Sequence, residues 1–426
     1  MTVSRPTLTP YRVLVFAATV FTVASWIFLF DNNLISQPDR FQESDYIMTF
    51  YVAGHLLATG RESDLYPAPS AESFVGESFD RAAHSLLASL PAATTAIYMY
   101  SPLVAGIFVP LSYADPNSSL FIWQVLSVLA LALSCYLLSR AMNVKFSDSF
   151  FLSSLFGPVF ITLWGGQLGL VLGLLPLCVG YVLLLGHHSL LAGVVWSVLS
   201  LKPQYFPAAA FVALVLSLGN FRIALGLALG VAGFVVANLL LFSPALVSNW
   251  LASHRLSDTL FTHAQYGIPA HLITSLPADL LLLLPATVRA DLKWPVYAGA
   301  LFLWGIGFWT CWRVQHGSWD ERTKITLTLV IGLFLSSVAL PHLLYYDLCV
   351  LIPAGFALAA KNDIIPQAIP LRKLALTGWL TISLYLPMFL IIKPRIGMAL
   401  TLELILLGLL CCLLVRINHP TLSTAA

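Results

Sequence analysis

Residues 38–67 read PDRFQESDYIMTFYVAGHLLATGRESDLYP, the first charge-rich stretch after a long apolar segment. Ser44 is a favoured N-cap residue, and Gly60 is a residue type that commonly ends helices. The stretch therefore predicts a short helix over residues 44–59 with Asp45 in its first turn. The carboxylate of Asp45 has an ordinary interpretation, an interaction with the helix dipole worth about 0.3–1 kcal/mol. A functional interpretation is that Asp45 is a general base at a membrane interface. The spacing of the residues alone does not decide between the two interpretations.

The composition of the whole chain indicates a membrane protein. Of its 426 residues, 59% are hydrophobic and only 9% are charged, whereas a soluble domain carries roughly 25% charged residues. The net charge of +2 is too small, and the basic residues are too scattered, for a nucleic-acid-binding surface. All six cysteines lie in apolar segments, which argues against a disulfide framework or a thiolate metal site.

Apolar segments make up most of the chain and predict about twelve membrane-spanning helices in one integral membrane domain, residues 1–426. The first segment, 11–30, is long enough to span a bilayer and is not preceded by a cleavage signal, so we expect it to be retained. Several others are short and interrupted by Gly or Pro, as is common for segments that line cavities. One short segment is expected to enter the membrane without crossing it, and the candidates are 97–112, 150–164 and 189–201.

The Lys and Arg residues near the segment ends predict the orientation. Arg5 and Arg12 place the N-terminus on the inner side of the plasma membrane, so that the long loops 31–96 and 243–293 lie outside. Both loops are rich in Leu, Tyr, Phe and Trp, which favours helices lying in the membrane interface. The expected fold is an all-α polytopic membrane protein with interfacial helices in its outer loops.

Two polar residues stand at predicted breaks between apolar segments. Gln167 follows Gly165 and Gly166, which permit a broken helix, and it is either a polar contact between helices or part of a site. Lys202 precedes Pro203 between two apolar half-segments. An ionisable group at such a position is a functional-site hypothesis by default, and the alternative is a side chain that extends to the membrane interface. A lysine beside a helix start would also suit a phosphate group.

The segment SSVALPHLLYYDLCVLIP holds two further candidates, His342 and Asp347. An Asp at a membrane helix centre costs about 2.5–3.5 kcal/mol on insertion scales, so Asp347 should face a polar cavity or a partner. A site role and a buried tether to a Tyr or His fit this pattern equally well. The histidines lack metal-ligand spacing and no Gly-rich phosphate-binding motif is present, so we predict no cofactor and no soluble nucleotide donor, with a metal requirement left open.

The order of these residues resembles the pattern of a known family. It runs through the following motifs: Asp45-Tyr46, Tyr51 and Ala53; Gly60, Leu65 and Tyr66; Tyr100-Ser101-Pro102-Leu103; Gly166-Gln167; Leu201-Lys202-Pro203; and Pro341-His342 with Tyr346-Asp347-Leu348. This order is similar to that of glycosyltransferase family 87, a family of polytopic GT-C glycosyltransferases that includes bacterial polyprenyl-phosphate-mannose-dependent mannosyltransferases. The resemblance extends from the first span to about residue 355. The family often has Pro where this chain has Ser101 and Asn where it has Gly169.

The resemblance implies a GT-C-like helical bundle that transfers a hexose such as mannose from a polyprenyl-phosphate donor to a lipid or glycan hydroxyl. Transfer would occur on the outer, periplasmic face with inversion at the anomeric carbon. Asp45 matches the family's catalytic base, while Lys202 and His342 match positions expected to contact the donor phosphate or the acceptor. Gln167, Asp347 and Tyr66 are the other expected substrate-binding residues: they belong to the same motifs.

A transporter or lipid flippase is the competing interpretation, because it too has many spans, broken helices and ionisable groups at membrane depth. Transporters gather such groups near the bilayer midplane and are built from related halves. Here the polar candidates collect on one side, and no internal repeat is detectable. The pattern therefore favours the enzyme.

Overall fold

A computed structural model describes residues 10–31, 44–257, 260, 268, 272–360, 371–392 and 397–418. Arg5 and the part of the first outer loop before Ser44, 32–43, lie outside the described residues.

The described residues form helices, and they contain no β-strand, which confirms the all-α class. The one isolated bridge among them joins Ile273 to Leu344. In chain order the helices are α1 (Pro10–Phe30), α2 (Tyr46–Ala58), α3 (Ser78–Leu86), α4 (Pro102–Phe108), α5 (Pro116–Met142), α6 (Phe146–Ser154), α7 (Gly157–Gly165), α8 (Gly169–Leu185), α9 (Ser189–Leu201), α10 (Phe206–Ser217), α11 (Arg222–Leu241), α12 (Pro244–Ser253), α13 (Leu276–Leu282), α14 (Ala286–His316), α15 (Glu321–Ala339), α16 (Tyr345–Ala359), α17 (Leu371–Ile392) and α18 (Gly397–Asn418).

Three of the described helices, α5, α11 and α15, are long and apolar enough to cross a membrane. Helices α6 and α7 pass the same test together, with a bend of 68° between them. Residues 97–112 form only α4 and the 3₁₀ turn Pro110–Tyr113, which at 1.5–2 Å per residue are too short to cross. The described part of the chain is therefore that of an apolar, all-helical membrane protein, and the figure of about twelve spans stays a prediction.

Helix α2 confirms the helix expected from the opening stretch. The backbone N–H of Ile47 donates to the Ser44 hydroxyl at 3.3 Å, which is the predicted N-cap contact. At the other end, Gly60 has a φ of +70° and the Arg61 N–H donates to the Leu56 carbonyl at 2.8 Å. Such a left-handed residue with a returning N–H is the usual way in which a glycine ends a helix. The first half of α2 is π-helical.

A hydrophobic cluster holds α2 against α4 and the start of α5. The ring of Phe50 stacks on Phe108 with centroids 5.1 Å apart, and the ring of Tyr46 stacks on Trp123 at 6.0 Å. Gly54 lies so close to α4 that a Cβ on it would be 2.7 Å from the carbonyl carbon of Phe108. Since real Cβ contacts are longer than this, the helices touch only because residue 54 lacks a side chain.

Replacing Gly54 by alanine should therefore destabilise the fold by about 1–3 kcal/mol, the usual cost of overpacking. We expect a lower unfolding temperature for Gly54→Ala in detergent micelles. The matched control is Gly233→Ala in α11, where nothing lies within 4 Å of the added methyl group. An alanine there should leave the unfolding temperature unchanged or raise it, because alanine favours helix over glycine. Equal behaviour of the two variants would contradict the close approach of α2 and α4.

Candidate active site

Asp45 and Gln167 meet where α2 begins and where the chain breaks between α7 and α8. Gly166 has a φ of +64°, which ends α7, and the Gln167 N–H returns to the Thr162 carbonyl at 2.9 Å. This is the break that the paired glycines predicted. The Gln167 side chain then donates from Nε2 to Oδ2 of Asp45 at 2.5 Å. The two residues are 122 positions apart in sequence, and the contact fixes one oxygen of the carboxylate.

The second oxygen of Asp45 is available to another molecule. Within the described residues Oδ1 accepts no hydrogen bond, and it is not one of the buried polar atoms that lack a partner. The residue as a whole is half-buried. Among the described residues, Asp45 therefore has one carboxylate oxygen held by Gln167 and one without a hydrogen bond, and the second can accept a proton.

The surroundings of Asp45 also change its acidity. Burial raises the pKa of the carboxyl group above its ordinary value, and the nearby Asp347 acts in the same direction. The hydrogen bond from Gln167 and the charge of Lys202 lower the pKa and offset part of this rise. A carboxylate with a raised pKa is a stronger base than an exposed one, yet it still needs the Gln167 contact to favour its ionised form.

Lys202 and Asp347 form a buried ion pair beside Asp45. Lys202 lies in the break between α9 and α10, and its Nζ is 2.5 Å from Oδ1 of Asp347. The Tyr205 hydroxyl donates to the same oxygen at 2.6 Å, while Oδ2 accepts from the Leu344 N–H at 3.1 Å. Lys202 is 1% exposed and Asp347 is fully buried, so the lysine does not extend to the membrane interface. Asp347 makes the tyrosine tether that was one of its two predicted alternatives, with Lys202 as a further partner.

Aromatic rings surround the ammonium group. Nζ of Lys202 lies 4.9 Å from the ring centroid of Tyr205 and 4.7 Å from that of Tyr346. Tyr100 is within electrostatic range of Asp45 as well as of the ion pair. Sequence reasoning missed Tyr205, although its position three residues after Lys202 in LKPQYFP could have indicated it. Tyr346 is likewise within electrostatic range of both Asp45 and Asp347, so the aromatic residues lie near both the carboxylate and the buried ion pair.

The remaining two candidates lie nearby but make other contacts. The Tyr66 hydroxyl donates to the Tyr100 carbonyl at 2.6 Å, so Tyr66 holds the backbone of Tyr100. His342 is half-buried between α15 and α16. The chain at His342 is fastened to the second outer loop, because the next residue, Leu343, accepts from the Thr274 N–H at 2.9 Å. Binding roles for Tyr66 and His342 stay predictions.

No three His, Cys, Asp or Glu side chains of the described residues are grouped so that they could hold a metal ion. With the groups that it has, the candidate site can accept a proton at Asp45, near the fixed positive charge of Lys202.

Comparison with known proteins gives one match. The model of glycosyltransferase family 87 matches residues 98–341, more than half of the chain. The matched region includes Gln167 and Lys202 and ends directly before His342, while Asp45 precedes it. Neither the curated proteins nor the solved structures contain a match to the chain.

Proposed function

Because the chain belongs to glycosyltransferase family 87 and is thus a membrane glycosyltransferase, we propose that it transfers a hexose, mannose, from a polyprenyl phosphate to a lipid or glycan hydroxyl. A polyprenyl phosphate suits a chain without a nucleotide-binding motif, since its lipid tail can reach the site through the bilayer. The transfer takes place on the periplasmic side of the plasma membrane, the side on which the charge pattern places the first outer loop.

The observation that carries this proposal is the open oxygen of Asp45. The acceptor hydroxyl gives its proton to Oδ1 of Asp45 as its oxygen attacks the anomeric carbon of the donor sugar. The bond between that carbon and the phosphate oxygen breaks, and its electron pair leaves with the phosphate. One displacement of this kind inverts the anomeric configuration, and the proton ends on the carboxyl group.

Lys202 is the proposed electrostatic partner of the departing phosphate, with His342 as a second contact. The ammonium group has three N–H donors, and two of them are used by Asp347 and Tyr205. The third can bind a phosphate oxygen. A positive charge that is already in position near the developing phosphate anion lowers the activation barrier, because the protein need not reorganise during the reaction.

The proposal is tested by supplying sugar donors to membranes that contain the protein. Radiolabelled polyprenyl-phosphate mannose, glucose and arabinose are offered separately, and the membranes are examined for a new labelled glycoconjugate. We expect a product from the mannose donor that is absent from membranes without the protein. A product formed only from a nucleotide sugar, or movement of intact donor lipid across the bilayer without any product, would contradict the proposal.

Removing the Gln167 side chain should shift the pH dependence of transfer. In Gln167→Leu the hydrogen bond that lowers the pKa of Asp45 is absent, so a higher pH is needed to ionise the base. The acidic limb of the pH–rate profile should therefore move to higher pH, because a hydrogen bond to a charged group favours the charged form.

Gln124→Leu is the matched control for this shift. Gln124 is also a buried glutamine, and its Nε2 donates to the Leu163 carbonyl at 2.9 Å instead of to a carboxylate. The control should leave the acidic limb where it is in the unmodified protein. If Gln167→Leu leaves it there too, Gln167 does not act on Asp45.

A further inference from the structure

Two acidic residues outside the active site are buried together at the junction of the second outer loop and the last helix. Asp279 lies in α13 and is 1% exposed, while Glu403 lies in α18 and is fully buried. The two helices pack against each other. Both side chains are therefore removed from water, where an ionised carboxylate is costly unless it is paired.

The carboxyl groups interact with each other but lack hydrogen-bond donors. Oδ2 of Asp279 and both carboxyl oxygens of Glu403 are buried without a hydrogen-bond partner in the described part of the chain. The two carboxyl groups interact with each other, and Tyr385 of α17 interacts electrostatically with both. An ionised carboxylate can only accept hydrogen bonds, so these oxygens lack a donor unless one of the two groups carries a proton.

Other charged groups on the packed helices are either engaged or distant. At the start of α14, Arg289 binds the Leu284 carbonyl at 3.0 Å, and the ammonium of Lys293 lies 5.7 Å from the ring centroid of Tyr297; Asp291 is exposed. Arg313 of α14 binds the side chain of Asn418, and fifteen helical residues, about 22 Å, separate Asn418 from Glu403. The other charged residues of these helices are His316 at the end of α14, Glu321, Arg322 and Lys324 at the start of α15, and Lys373 at the start of α17.

We propose that Asp279 and Glu403 bind one proton between them and that this shared proton fastens α13 to α18. The proton forms an O–H···O⁻ bond, a strong charge-assisted contact, and it leaves one buried negative charge in place of two. Burial raises the pKa of Asp279 to about 7, so this carboxyl group keeps its proton up to near-neutral pH.

The contact between Asp279 and Glu403 would also hold in place the chain segment that leads to the active site. Directly before α13, the Ser275 hydroxyl donates to the Leu340 carbonyl at 2.6 Å. The neighbouring Thr274 N–H donates to the Leu343 carbonyl, and the Leu344 N–H binds Asp347. Fixing α13 therefore fixes the segment from which Asp347 reaches Lys202.

The sign of the pH effect follows from the raised pKa. A group whose pKa is higher in the folded state stabilises the fold at low pH, and this contribution is lost as the pH rises through the folded value. For Asp279 that value is about 7. The stability that comes from Asp279 should therefore fall as the pH rises from its ordinary pKa of 3.8 to about 7, and this group should contribute no further change above that.

The test is the unfolding temperature of the full-length protein in detergent micelles across this pH range. In the unmodified protein we expect it to fall by several degrees as the pH rises. Asp279→Asn and Glu403→Gln each supply a permanent N–H donor. Both should lose this pH dependence and, at the upper end of the range, unfold at a higher temperature than the unmodified protein. Asp320→Asn, at an exposed N-cap, is the control and should keep the slope.

Two outcomes would overturn the proposal. One is an unmodified protein whose unfolding temperature does not change over this pH range, or amide variants that keep its slope. The other is a rise in unfolding temperature on addition of Na⁺ or Mg²⁺ that occurs in the unmodified protein and not in Asp279→Asn/Glu403→Gln. In that case a metal ion, and not a proton, holds the pair. Neither readout depends on the proposed sugar transfer.

Discussion

Asp45→Asn should reduce sugar transfer by about 10²–10⁴-fold, the contribution usual for a general base. The asparagine has nearly the same shape, and its side-chain oxygen can still accept the hydrogen bond that Gln167 donates. It cannot take a proton from the acceptor. Because burial raises the pKa of Asp45, the ionised form costs folding free energy near neutral pH, and the neutral amide avoids this cost. We therefore expect the variant to unfold at an equal or higher temperature.

The measurement is the initial rate of transfer by purified protein together with its unfolding temperature. Asp64→Asn serves as the matched control, since Asp64 lies in the same outer loop and pairs with the exposed Arg61 at 2.8 Å. That variant should transfer sugar at the unmodified rate. An Asp45→Asn protein that retains full activity would show that another group takes the proton.

Breaking the buried ion pair should produce the largest loss of stability. Lys202→Ala leaves the fully buried Asp347 carboxylate without its cation, and removing one partner of such a pair typically costs about 3–5 kcal/mol. The surface pair of Arg61 and Asp64 offers the comparison, because exposed pairs are worth only about 0–1 kcal/mol. We expect a much lower unfolding temperature for Lys202→Ala than for Asp64→Asn.

A double variant separates the structural role of the pair from its proposed role at the donor. Lys202→Met with Asp347→Asn buries no charge, so it should be more stable than Lys202→Ala. If Lys202 binds the donor phosphate, this folded double variant still uses the donor poorly, which is measured as a higher KM for the donor. A KM equal to that of the unmodified protein would remove Lys202 from the phosphate site. A double variant as unstable as Lys202→Ala would contradict the buried-charge explanation.

Local features of the fold could be predicted from the sequence because they depend on neighbouring residues. Ser44 and Gly60 bound α2 as expected, since caps act within one helical turn. The break at Gly165 and Gly166 was predicted for the same reason. The number of spans could not be counted in this way, because a short apolar segment in a sequence does not show whether its helix is long enough to cross, as α4 is not.

Contacts between residues far apart in the chain could not be predicted from the sequence. Lys202 and Asp347 were each recognised as candidates, but nothing in a single sequence shows that residues 145 positions apart form one ion pair. The same holds for Asp45 and Gln167. Glu403 was overlooked altogether, although an acid inside an apolar segment is itself a signal.

The anomeric configuration of the product tests the central claim most directly, namely that Asp45 deprotonates an acceptor that displaces the phosphate in one step. The product made by purified protein from a polyprenyl-phosphate mannose of known configuration is examined by NMR at the anomeric carbon. A single displacement predicts a product whose configuration is opposite to that of the donor. A product with the donor's configuration would require two displacements through a covalent intermediate, and it would contradict the assignment of Asp45 as a base.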